Sequence, residues 1–107
     1  MSTFDKREES FEKRFAHDEE LHFRAEARRN KLLALWAAEK LGKSEAETRL
    51  YVDALVAAEV SADASEKIFA KVKQDFLERG VDQSDHQIRR TMEELLAKAT
   101  EEIKAGK

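Results

Sequence analysis

The sequence predicts an all-α fold, a four-helix bundle with a mobile N-terminal amphipathic segment, and three observations carry this. The 107 residues include no Pro and only three Gly, and 40% are charged, which favours helices and leaves little material for the turns of a β fold. Each glycine stands where a helix should stop, with a cation in the preceding turn: Gly42 after Lys40-Leu41, Gly80 after Glu78-Arg79 and Gly106 after Lys104-Ala105. Between these stops, apolar residues recur at helical spacing.

The first 18 residues hold only three large apolar side chains, Phe4, Phe11 and Phe15, which fall within about 40° of one another on a 3.6-residue period. Leu21, Ala25, Leu32, Leu35 and Trp36 cluster roughly 90° away, so the apolar stripe turns near the middle of this region. One face is expected to belong to the protein's own core and the other to a partner. The whole length from Phe4 to Leu41 could be one helix, but the leader's apolar residues do not continue the next stripe, so residues 1–18 are read as a segment that is flexible or partly helical when free, since isolated helices shorter than about 12–15 residues are marginal in water. Residues 19–107 are read as the bundle domain.

The first bundle helix is expected over about residues 19–41. The second, over 45–58, starts at the capping box Ser44-Glu45-Ala46-Glu47 and carries Leu50, Ala54 and Ala57 beside Tyr51, Leu55 and Ala58. The third, over 64–79, starts from Ser61 or Asp63 with Glu66 in its first turn, and its stripe is Ile68, Phe69, Val72 and Phe76. The fourth, over 84–104, opens on Ser84-Asp85-His86-Gln87, the Gln form of the capping box. Ile88, Met92, Leu95, Leu96, Ala99 and Ile103 form its single stripe. Short connections place neighbouring helices antiparallel, and Trp36, on the core stripe, packs against the other helices.

Composition excludes several function classes. The net charge of -3 arises from interspersed signs, so no basic stripe exists to neutralise a nucleic-acid backbone. The chain has no Cys, hence neither disulfides nor thiolate metal sites. No apolar run approaches a membrane span or a signal-peptide core, so the expectation is a cytoplasmic protein without membrane insertion. His17 and His22 flank Asp18-Glu19-Glu20-Leu21, but a spacing of five puts them about 140° apart around the axis, which is wrong for a shared metal. No phosphate loop, nucleophile elbow or Cys-His pair is present, so no enzyme is predicted. Acidic clusters such as Asp18-Glu19-Glu20 and Glu101-Glu102 read as solvated faces, and Arg28, Arg29 and Lys31 as cations that pair with Glu26, Glu39 or a partner's acids.

One stretch is more specific. The run Ala27-Arg28-Arg29-Asn30-Lys31-Leu32-Leu33, followed by Leu35-Trp36-Ala37-Ala38-Glu39, with its distance from the N-terminus, resembles the zeta-subunit family of alphaproteobacterial F-type ATP synthases. The resemblance covers the first 42 residues strongly and the rest by length and helix layout. It implies a non-catalytic inhibitor of ATP hydrolysis, a four-helix bundle whose N-terminal segment enters the catalytic head of the synthase. It also implies that the segment inserts between catalytic and non-catalytic subunits near the rotor and blocks rotation. Phe4, Phe11 and Phe15 are then apolar anchors, and Lys6, Arg7, Glu8, Glu12 and Arg14 set register through charge pairs at the rim. No cofactor is implied, although weak adenine-nucleotide binding is compatible with the family. The free protein is expected to be monomeric, and when bound to the synthase to lie on the cytoplasmic face of the inner membrane. An alternative is a small helical scaffold that self-associates through its N-terminal helix, for which the stripe is short, since coiled coils sustain several heptads.

Overall fold

A computed structural model describes the backbone of residues 2–57 and 63–106, and the side chains of residues 18–57 and 63–106. Four helices make up the fold: α1 (Ser2–Lys40), α2 (Glu45–Val56), α3 (Ala64–Arg79) and α4 (Asp85–Lys104). Three start or end close to their expected bounds. The exception is α1, in which the leader and the first bundle helix are one continuous element of 39 residues.

The expected punctuation is physically in place. At Ser44 and Ser84 both halves of the capping box form, the hydroxyl accepting from the N–H of Glu47 or Gln87 while that residue's side chain accepts from the serine N–H. Asp63 precedes α3 without a side-chain capping bond, and Ser61, the other candidate, lies outside the described residues, as does Ala58. Gly42 and Gly80 both adopt φ +69°, the left-handed setting that closes a helix. Past each glycine the chain bonds backwards, Lys43 N–H to the Ala38 carbonyl at 3.0 Å and Val81 N–H to that of Phe76 at 2.9 Å. Val81 thereby rests on the core.

Cross-helix contacts fix the topology. Arg29 meets Ser65, Trp36 meets Phe76 and Arg79 meets the Leu41 carbonyl, so α1 and α3 run parallel. Glu66 to Arg89 and Lys73 to Asp85 set α4 antiparallel to α3, and Arg28 opposite Glu102 sets it antiparallel to α1. This is the up-down-up-down arrangement that short connections dictate. Leu33, Ala34, Ala37, Ala38 and Leu41 of α1 close over Tyr51 and Leu55, over Ile68, Phe69, Val72 and Phe76, and over Ile88 and Met92. The stripes expected of α3 and α4 are the ones that pack. On α2 the Tyr51-Leu55 row is buried, whereas Leu50, Ala54 and Ala57 face solvent.

The α1 stripe needs correction. Ala25 is buried and Trp36 stands edge-on to Phe76 at 5.5 Å between ring centroids, but Leu35 is 43% exposed and Leu21 and Leu32 are half-buried. The face that packs runs through Ala25, Arg29, Asn30, Leu33, Ala34, Ala37 and Ala38 instead. Alanine lets two helices approach closely, so an arc of small side chains served by both α2 and α4 takes the place that the bulkier leucines were expected to fill. Counted on the helical period, positions 4, 11, 15, 29 and 33 fall within about 40° of one another, so the leader's phenylalanine positions lie on the azimuth of buried Arg29 and Leu33.

Candidate partner-binding surface

All eight expected contact positions, Phe4, Lys6, Arg7, Glu8, Phe11, Glu12, Arg14 and Phe15, belong to the N-terminal part of α1, and their side chains lie outside the described residues. His17 does too. What the structure defines is the platform from which this part of the helix departs. Ile103 and Lys104, at the last turn of α4, line a groove with Glu20, Leu21 and Arg24. The end of α4 is thus level with the stretch from Glu20 to Arg24, and α1 continues for about five further turns toward its N-terminus.

Around this exit the side chains are mostly charged. His22 Nε2 lies 3.0 Å from Glu26 Oε1, and Arg28 reaches Glu102 at 3.8 Å. Phe23, not singled out by the sequence, is 55% exposed here. Its signal was weak, because a lone phenylalanine about 100° from the leader's row matches neither apolar stripe.

One turn further on, the expected basic patch divides in three. Arg28 pairs across to α4, Lys31 is exposed, and Arg29 is only 4% exposed. Arg29 donates through Nε to Asn30 Oδ1 at 2.8 Å and through Nη2 to Ser65 Oγ at 3.0 Å, and Asn30 is itself 2% exposed. Burial lowers the Arg29 pKa from its ordinary value, and the charge of Glu26 opposes that. No carboxylate lies within ion-pair distance of it among the described residues. The expected partners Glu26 and Glu39 are therefore not its hydrogen-bonding partners.

On the neighbouring face, Arg89 stacks 3.9 Å above the Phe69 ring and holds both oxygens of Glu66, which depresses the Glu66 pKa. At the opposite end of the bundle Tyr51 donates to Asp75 Oδ2 at 2.8 Å, with Lys43 and Lys71 ammonium groups 5.1 and 5.4 Å from its ring centre. Burial, with the Asp75 hydrogen bond and charge, raises the Tyr51 phenol well above its ordinary value. These groups tie one helix of the bundle to the next. None of the described helices is long and apolar enough to cross a membrane.

A four-helix bundle whose first helix runs far past the level where its last helix stops has the build of a module that presents a helix to a partner. The family of ATPase inhibitor subunit zeta matches residues 1–102, and the chain belongs to that family. The match takes in the leader as well as the bundle. No curated protein matches the chain.

Proposed function

We propose that this protein inhibits ATP hydrolysis by an F-type ATP synthase by inserting the N-terminal part of α1 between catalytic and non-catalytic subunits near the rotor, so that hydrolytic rotation is blocked. It acts as a regulatory subunit without chemistry of its own. The observation that carries this reading is the family match from residue 1, which makes the leader part of an ATPase inhibitor's pattern. α1 runs on past the end of α4, and the azimuth of its buried Arg29 and Leu33 continues through the Phe4, Phe11 and Phe15 positions. A partner's groove is the surface that replaces α4 there.

Magnitudes assign separate roles to leader and bundle. Burying three phenylalanines yields roughly 5–9 kcal/mol, while ordering some 15 residues costs on the order of 1–2 kcal/mol each. Attachment to a folded helix removes one part of that cost. A free peptide must nucleate its own first turn, at a penalty of about 4 kcal/mol for a nucleation constant near 10⁻³, whereas the leader propagates from a helix the bundle already holds. Lys6, Arg7, Glu8, Glu12 and Arg14 flank the anchors and set orientation at the rim.

The test is titration of the purified soluble catalytic head with the chain and with a variant carrying Phe4→Ala, Phe11→Ala and Phe15→Ala together. The triple variant should require at least roughly a hundredfold higher concentration for half-inhibition, with an unchanged unfolding midpoint. Equal potency would remove the anchors from the mechanism.

A further inference from the structure

Beside Leu33, Leu41 and Trp36, much of the packed face of α1 is alanine: Ala25, Ala34, Ala37 and Ala38 are all fully buried, and methyl groups constrain the rotation of a helix less than branched or aromatic side chains do. Among them stand two buried polar residues, Arg29 and Asn30. Their bonds are directional: Arg29 Nε to Asn30 Oδ1 holds the guanidinium in one plane, and Nη2 then reaches Ser65 Oγ in the first turn of α3. Taking a cation out of water is costly, and a carboxylate that would offset it is absent from its hydrogen-bonding partners. Such a group is a poor device for stability. Its best-attested use is to specify one register among several that apolar packing would tolerate.

Register matters here because α1 is continuous from Ser2 to Lys40. A slip of one residue rotates everything on the helix by about 100° and moves it about 1.5 Å along the axis. We infer that Arg29, with Asn30 and Ser65, is a positioning device: it pins the rotation of α1 in the bundle and so sets the direction in which the leader's Phe4, Phe11 and Phe15 face emerges. This rests on the proposed inhibitory role of the leader. Arg29 touches no partner in this scheme and acts through the helix it belongs to.

The substitution Arg29→Met keeps length and volume while removing the directional donors. Two readouts are taken on the full chain. One is inhibition of the soluble catalytic head. The other is the distance distribution between spin labels at Asp18→Cys on α1 and Ala70→Cys on α3, both exposed positions in a chain with no native cysteine. The expected result for Arg29→Met is an unfolding midpoint equal to or above that of the parent, a broadened or shifted label distance, and potency lower by roughly tenfold. Ser65→Ala, which deletes only the acceptor on α3, should broaden the distance less and weaken inhibition by a few-fold, and it stands as the test if Arg29→Met does not fold. Arg29→Lys, restoring one donor, should recover part of both. An unchanged distance together with full potency overturns the inference, and so does weakened inhibition with an unchanged distance, which would make Arg29 a contact and not a positioner. A chain lacking residues 1–18 serves as control: if it inhibits as well as the parent, the leader mechanism fails, irrespective of what Arg29→Met does.

Discussion

Phe76 is the kind of residue whose role is legible in helical spacing alone. It lies on a four-member stripe, it is fully buried, and it forms a T-shaped ring pair with Trp36. Phe76→Ala should cost about 3–5 kcal/mol in chemical denaturation, since the ring's transfer energy and the cavity left behind add. Arg29 and Asn30 are the opposite case. A polar pair in mid-helix reads as solvent-facing, and only the fold reveals that α3 supplies a hydroxyl to meet it. Leu35 fails for the complementary reason, as large apolar residues at the margin of a buried arc count fully in a periodicity and only partly in packing. Tyr51 gives a pH prediction. Its folded pKa is raised, so its contribution is fully present below the unfolded value near 10 and is lost as pH rises above that. Tyr51→Phe should flatten the alkaline fall in stability while lowering stability at neutral pH by about 1 kcal/mol, the net worth of the Asp75 bond.

At the scale of the element, boundaries were legible wherever a local chemical device sets them. The two Ser-led boxes start α2 and α4, and left-handed glycines end α1 and α3. Ser84→Ala should destabilise the protein by about 1 kcal/mol, read from the urea midpoint. The carboxylate of Glu47 accepts from Ser44 N–H, which holds its pKa below the ordinary carboxylate range. That contribution is present above the unfolded pKa and fades as pH falls through the folded one, so Glu47→Gln should show a shallower loss of stability in acid than the parent. The length of α1 was legible as one of two readings: no helix-breaking residue lies between Ser2 and Lys40, so a single helix was open, while the change in apolar content near residue 18 pointed to a separate segment.

In the proposed mechanism, labour in the whole molecule is divided between a bundle that holds one helix and a leader that uses it. The fold class, the order of helices and most of the core stripes followed from spacing and caps. The direction in which the leader faces did not, because it depends on how α1 is rotated against three other helices, and that is a property of packing. If the bundle is the anchor and supplies the helical nucleus, a peptide of residues 1–18 should inhibit roughly a thousandfold less well than the chain, in line with the nucleation penalty alone. The most direct measurement is ATP hydrolysis by the soluble head of the cognate synthase, with the full chain and with a chain lacking residues 1–18. Strong inhibition is predicted for the first and none for the second, whose helical circular dichroism and cooperative unfolding should persist. Equal inhibition by the two would contradict the division of labour between leader and bundle.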